Sequence, residues 1–599
     1  MIYEAIIHEQ IRDYIYPINS YQLAIRIKAK KGDIKECILH YYNMQKTTIS
    51  NSSKVRMTCY ARDKRFDYYE VLIDTGERTK YIKYFFEIND GINVVYFNYY
   101  GISLTVQEEG NFQYLISNEK DFLQIPHWVE ESIFYQIFPE RYYDGNKENN
   151  PDDVVEWGSS PTRENFMGGD LEGIHKKIDY LKTLGVNAIY LNPIFEAPSN
   201  HKYDTMDYFK IDKHFGDIDD LRKLVLVLHE NNIKLILDGV FNHCGYYTRQ
   251  FQDVIKNGEK SKYKDWFYID QLPVDTDEIN YECVGYYKWM PKLNFNNEEV
   301  RDYVKKIGRY WIEEANIDGW RLDVADEIDT TFWSEFRREV RSVNPECFIL
   351  GETWIENKSM LRGDQMDSVM NYLFFYAVTE YFAKNTIDTF EFDSRINQFL
   401  GAYSNRVHHS LFNLIGSHDT TRFLTSCNKD MDKLKLAAAF QLLFIGVPCI
   451  YYGDEIGMEG SNDPGCRGAM NWSFTERQQN LLEYYKRLIH IRKKYRALVE
   501  GKFKSIYCSN ENLVYAFVRE ITRERVYVIL NNEDKINEIT IPLLEKYDEN
   551  RVIVDIITDD EFQISTLQNE KYYNCDIYPY ESSVKINIES YGVRILIVN

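Results

Sequence analysis

The ten cysteines of this 599-residue chain make no C-x-x-C pair and are scattered from Cys37 to Cys575. That spacing excludes a cysteine zinc site, argues against a disulfide frame, and suits reduced thiols in a cytoplasmic protein. Long apolar runs are also missing, and none approaches the ~18 residues of a membrane span. The opening MIYEAIIHEQIRDYIYP has no basic stretch leading into an apolar one, so no secretory leader is expected. Positive charge is in deficit: 71 Lys and Arg stand against 93 Asp and Glu, for a net charge of −22. Nucleic acid and anionic membrane are therefore poor partners. Internal repeats and low-complexity tracts are absent. What is plentiful is aromatic, with 49 Tyr, 33 Phe and 9 Trp. Most should fill cores, but such rings also stack on sugar faces and favour a carbohydrate ligand.

The length predicts three or four domains. Residues 1–122 alternate in short pieces such as YQLAIRIKAK, VRMTCYARD and KYIKYFFEIND, separated by turns at Lys31-Gly32-Asp33 and Asn89-Asp90-Gly91; this predicts a β-sandwich. From about 123 to 500 strands and helices alternate. Strand-like runs lie at 133–138, 187–192, 234–240, 319–324, 347–352, 368–373, 411–416 and 449–453. The segment 298–316 puts Val300, Val304, Ile307 and Trp311 on one helical face, and 217–232 opens with aspartates suited to an N-cap. Eight such units predict a (β/α)8 TIM barrel. An open doubly wound sheet is the alternative, but no G-x-G-x-x-G follows the first strand. Residues 241–297, rich in Tyr and Trp, are too long for a plain loop and read as a subdomain inserted after strand 3, overhanging the barrel mouth. Residues 501–599 return to strand-like pieces and predict a C-terminal β-sandwich.

Three apolar runs end abruptly in chemically capable residues: DGWRLDVADE in Arg321 and Asp323, CFILGETW in Glu352, and SLFNLIGSHDT in His418 and Asp419. A barrel presents its active site from C-terminal strand ends. Three carboxylates meeting there suggest glycoside chemistry, in which one acid protonates the leaving oxygen and another attacks or stabilises the sugar cation.

With DGVFNH (238–243), GWRLDVADE (319–327), GETW (351–354) and NLIGSHD (413–419) in that order, the chain resembles the α-amylase family, glycoside hydrolase family 13. MPKLN (290–294) and the stretch 251–267 are similar to its neopullulanase, cyclomaltodextrinase and maltogenic amylase group. The resemblance implies Asp323 as nucleophile, Glu352 as general acid/base and Asp419 as transition-state stabiliser. It implies sugar contacts from His201, Tyr203, His243, Arg321, Glu327 and His418, with Tyr203 as a stacking platform. Asp463 and Arg467, in NDPGCRGAMNW, are implied contacts on the non-reducing side. Asp238 and Asn242 are implied scaffold residues. Arg321, two residues before Asp323 on a strand, shares its face and should keep it ionised. Glu352, with no motif cation of its own, is then the expected proton carrier. The chain departs from the group at Asp326, where Asn is usual before Glu327, and at Ser473, where Asp usually follows the tryptophan.

RYYDGNKENNPDD (141–153) and FMGGDLEGI (166–174) are rich in oxygen donors, which favour Ca²⁺ over zinc. The resemblance maps a calcium site onto Asp144, Asn146, Asn149, Asn150, Gly168 and Asp170; no organic cofactor is implied. It further implies a retaining hydrolase of α-1,4 bonds in cyclodextrins, maltooligosaccharides and pullulan, with sugar transfer possible. It also implies a homodimer in which the N-terminal domain of one subunit leans over the barrel mouth of the other. The rivals are an α-amylase or α-glucosidase acting on linear glucans, and a glucan-binding barrel without activity.

Overall fold

The computed structural model describes residues 1–119, 122–548, 551–567, 572–578 and 580–598. Its centre is a parallel sheet of eight strands: β1 Phe134–Ile137, β2 Ala188–Leu191, β3 Lys234–Gly239, β4 Gly319–Leu322, β5 Phe348–Gly351, β6 Ser368–Val369, β7 Phe412–Leu414 and β8 Val447–Tyr451. The order runs β6-β5-β4-β3-β2-β1-β8-β7, and a parallel bridge between Met370 and Phe412 joins the two ends. This is the expected (β/α)8 barrel. Phe134, Tyr190, Ile236, Phe348, Leu350 and Phe412 fill its interior with almost no exposure. Each such buried side chain contributes about 1.5–3 kcal/mol.

The helices pack outside. Glu298–Ala315 is capped by the Asn297 side chain, which accepts from Glu299 N at 2.8 Å, and Val300, Val304, Ile307 and Trp311 are fully buried. Ile218–Glu230 begins in a capping box built by Asp217 and Asp220. The apolar run 368–373 reads as one strand, yet only Ser368–Val369 pairs. Asn371 is the cause: its side-chain oxygen accepts from Phe374 N at 3.1 Å and starts the helix Tyr372–Val378.

The N-terminal domain stacks a four-stranded sheet on a six-stranded one, both antiparallel. Leu23, Ile25 and Ile27 meet Leu39, Tyr84 and Phe86 between them. The strand Gln22–Lys30 is buried on its other face too, where Arg26 Nη1 donates to Tyr403 O at 2.6 Å on the barrel side. Residues 120 and 121, beside the expected boundary at 122, lie outside the described residues. The segment 241–297 holds one α-helix, Arg249–Asn257, and isolated bridges, among them His243 to Lys292 and Phe267 to Leu293. After helix Arg496–Glu500 comes an eight-stranded antiparallel sheet from Lys502 to Val598, folded around Ile506, Val518, Ile541 and Leu596.

Candidate active site

Parallel pairing sets Asp238 of β3 beside Arg321 of β4. Both are essentially fully buried. Arg321 Nη1 donates to Asp238 Oδ1 at 2.8 Å and Oδ2 at 3.0 Å, and to Asp323 Oδ1 at 2.8 Å. Its Nη2 lies 2.8 Å from Glu352 Oε2, just beyond β5. One planar guanidinium therefore spans three carboxylates. This corrects the reading of Arg321 as a cation for Asp323 alone: it faces Glu352 equally closely, so proximity to a cation does not separate the two acids. Burial pushes the Asp323 carboxyl well above its usual range. Arg321 opposes that, and the neighbouring Glu352 adds to it. Burial likewise lifts Asp238 to about 6 against the pull of Arg321. Asp238 and Asp323, sharing one nitrogen of Arg321, titrate as a pair and not singly.

Val324, directly after Asp323, adopts φ 44° and ψ 49°. A β-branched residue rarely enters this left-handed region. The turn aims Val324 N at Glu352 Oε2, 3.0 Å away. The strained backbone thus helps to orient one carboxylate from beside the other.

On the facing wall, β7 leads to His418 and Asp419. Gln136 Nε2 of β1 donates to His418 Nδ1 at 2.8 Å, so the ring proton sits on Nε2. That nitrogen meets Tyr203 Oη at 2.6 Å and Asp419 Oδ2 at 3.0 Å. Burial, reinforced by Arg467 and Arg321, keeps His418 neutral, its pKa well below 6.5. Tyr203 Oη donates in turn to Asp238 Oδ2 at 2.9 Å, which also receives Tyr190 Oη at 2.6 Å. A continuous chain Gln136–His418–Tyr203–Asp238–Arg321 therefore links β1, β7, β3 and β4. Arg467 Nη2 lies 3.1 Å from Asp419 Oδ1, and Nη1 lies 2.9 Å from Asp463 Oδ1. Of the residues implied by resemblance, Asp323, Glu352, Arg321, Tyr203, His418, Asp419, Arg467 and Asp463 are thus joined by direct contacts.

The remaining three stand around this chain. His243 Nε2 donates to Tyr203 O at 3.0 Å, while its buried Nδ1, an acceptor, has no partner. Burial lowers its pKa to about 4, so the ring is neutral. His201 Nδ1 accepts from Tyr203 N at 3.1 Å, and its ring stacks on that of Tyr203. Glu327 is engaged: its Oε2 accepts from Asn242 Nδ2 at 2.9 Å and Lys292 Nζ at 3.0 Å, tying the overhanging segment to the end of β4. Sequence reasoning missed Gln136, Tyr190 and the Val324 peptide. For Gln136 a signal existed: it is the one polar residue within IFYQIF. The Val324 peptide had none.

In the oxygen-rich loop, Asp144 Oδ1, Asn149 Oδ1 and Asn150 Oδ1 are buried without a hydrogen-bond partner. Asn150 Nδ2 donates to Asp144 Oδ2 at 3.3 Å. A Cβ on Gly168, at φ 86°, would lie 2.5 Å from Asn150 Oδ1, so the backbone approaches closely there. Oxygen donors left unpaired in a cluster suit a hard cation. Asp170 and Asn146 are partly spent elsewhere. Asp170 accepts from Gly173 N at 2.6 Å and Asn146 N at 2.7 Å, and Asn146 Oδ1 accepts from Glu148 N at 3.1 Å.

Comparison with known proteins places the chain in a family. Residues 136–501 match the α-amylase catalytic domain, and residues 1–118 match the α-amylase N-terminal Ig-like domain. A cyclomaltodextrinase of Thermoanaerobacter pseudethanolicus is 44% identical over 540 residues, covering 89% of this chain and 93% of that one. Neopullulanase 2 of Thermoactinomyces vulgaris is 42% identical over 550 residues, covering 91% and 94%. A solved cyclomaltodextrinase structure superposes with a TM-score of 0.91 at 37% identity, covering 100% of both chains. The chain belongs to the α-amylase family and is a glycoside hydrolase.

Proposed function

We propose that this enzyme hydrolyses α-1,4-glucosidic bonds of cyclodextrins, maltooligosaccharides and pullulan with retention of configuration. The observation that carries this reading is the buried Arg321 cluster. It holds Asp323 and Glu352 on Nη1 and Nη2 of one guanidinium, so the two carboxyls are close neighbours, as a double displacement requires. In the first step Glu352 gives its proton to the glycosidic oxygen, the C1–O bond breaks, and Asp323 Oδ bonds to C1. In the second, Glu352 takes a proton from water, whose oxygen attacks C1 and releases Asp323. Arg321, donating to Asp323 at 2.8 Å, favours the ionised carboxylate that attacks C1, against burial, which raises its proton affinity. Asp419, fixed by Arg467 and His418, balances the positive charge that develops on the sugar. The bare Nδ1 of His243 is suited to accept from a sugar hydroxyl, and the stacked Tyr203 and His201 rings are suited to a sugar face.

Relatives named for cyclomaltodextrin and pullulan cleavage align over nearly the whole chain, N-terminal domain included. Exposed Tyr247, Tyr286, Tyr287 and Trp289 on the overhanging segment provide sugar-stacking surface. The N-terminal domain carries exposed Ile92, Tyr99, Tyr100 and Leu104, which supports its use as the contact surface of a homodimer. Asp144, Asn149, Asn150 and the Gly168 backbone would hold Ca²⁺, with Asp170 and Asn146 bracing them; the ion would fix this loop and take no part in bond cleavage. The free, mostly buried thiols support a cytoplasmic location, and among the described residues no helix is long and apolar enough to cross a membrane. The test compares initial rates on β-cyclodextrin, pullulan and soluble starch. β-Cyclodextrin and pullulan should lead; starch far ahead of both would overturn the substrate assignment.

A further inference from the structure

Between the N-terminal domain and the barrel lies a cavity of about 170 Å³, lined among others by Arg26, Lys28, Tyr60, Arg65 and Lys358. One water needs only ~10–15 Å³ by the same kind of measure, so a small molecule fits. Arg26 is only 3% exposed. Its Nε meets Glu70 at 2.5 Å and Nη1 donates to Tyr403 O at 2.6 Å, but Nη2 has no acceptor. A buried guanidinium N–H left unpaired is costly unless something else accepts from it. Lys28 Nζ and Arg65 Cζ both gather on the Phe66 ring, at 4.8 and 5.6 Å. Among the described residues neither is in ion-pair contact with a carboxylate. The two acids on the cavity wall are already taken: Asp13 by Arg362 at 3.4 Å, and Glu356 by Lys358 at 2.9 Å. Burial lowers the Lys28 pKa, with Lys358 and Arg65 lowering it further and Asp63 and Glu356 opposing them. In a chain of net charge −22 the wall thus gathers four cationic side chains, of which Lys28 and Arg65 have no carboxylate in ion-pair contact among the described residues.

We propose that this cavity binds a small phosphate-bearing ligand through Arg26, Lys28 and Arg65. Three cationic side chains lining one cavity offer donors for the oxygens of a phosphate group, and Tyr14 and Tyr60 line the remaining space, where a sugar moiety would lie. Glu356 and Lys358 follow Glu352 closely in sequence, so the ligand would tie the N-terminal domain to the segment that carries an active-site carboxylate.

The test is thermal shift and calorimetry on the full chain with inorganic phosphate and with a hexose phosphate, at constant ionic strength. Wild type is compared with the double variant Lys28→Gln, Arg65→Gln. Lys28 is half-buried and Arg65 exposed, so the fold should tolerate both changes. Lys28→Gln alone serves if the ligand-free Tm of the double variant falls. Saturable binding in wild type, weakened roughly tenfold or more in the variant, is expected for lost charge-assisted bonds. Tighter binding of the hexose phosphate means that the aromatic wall reads the sugar; equal affinities mean that the site reads phosphate alone, and either supports the site. Absence of saturable binding by both ligands, or equal affinity in the variant, overturns it.

Discussion

Replacing Arg321 with Met removes the cation of the active-site cluster while nearly preserving volume. Arg321 is fully buried and lies 2.8 Å from a carboxylate oxygen of each of Asp238, Asp323 and Glu352. Removing one partner from a buried ion pair typically costs about 3–5 kcal/mol. Proton uptake by the abandoned carboxylates limits the loss, and this makes it depend on pH. Asp238 is already lifted from 3.8 to about 6 with Arg321 present, a shift of roughly 2 units, or about 3 kcal/mol. The sign follows from linkage. A carboxyl whose folded pKa is raised favours the folded state below its unfolded pKa, and that advantage is lost as pH rises through the folded value. Without Arg321 the Asp238 and Asp323 pKa values climb further, so the deficit of R321M is small near pH 5 and full above about pH 7. Thermal unfolding of both proteins at about pH 5 and pH 7.5 measures it, and kcat/KM should fall by roughly 10³-fold from lost electrostatic organisation. An R321M protein as stable as wild type at pH 7.5, or equally impaired at both pH values, would refute the shared-cation account.

Glu352→Gln should lose far less activity on an α-glucosyl fluoride than on maltotriose, because fluoride leaves with little protonation; steady-state rates on both substrates check this. Asp323→Asn should lose activity by several orders of magnitude on both, with an unchanged circular dichroism spectrum. Chelation by EDTA should lower the Tm reversibly, with Ca²⁺ restoring it and Zn²⁺ failing to do so; an unchanged Tm would remove the ion from the Asp144–Asn150 loop. Deleting residues 1–121 should give a monomer by light scattering and raise the starch-to-cyclodextrin rate ratio, whereas a dimeric truncation would contradict the lid role.

The barrel and its carboxylates were legible because period and chemistry coincide: each of β3, β4, β5 and β7 is an apolar run that stops at Asp238, Arg321 and Asp323, Glu352 or His418 and Asp419. Local pattern misled where a side chain overrides it, as at Asn371, whose cap turns the end of the run 368–373 into a helix. Contacts across the barrel are not written in any one segment. The second arm of Arg321 reaches Glu352 just past the next strand, and Gln136 reaches His418 across 282 residues of chain. The left-handed turn at Val324 defies its own β-branched propensity and is held by the surrounding site. The oxygen-rich loop was readable in composition, but which oxygens are free depends on the caps that occupy Asp170 and Asn146. The cavity at Arg26 was invisible, since alternate residues of an edge-to-core strand give no sign of a second domain covering them.

The central claim is double displacement through Asp323 and Glu352. Its most direct test is proton NMR of β-cyclodextrin digestion, read before mutarotation equilibrates the products. The account predicts that the first reducing end to appear is the α-anomer. A β-anomer formed first would mean direct attack by water and would contradict it.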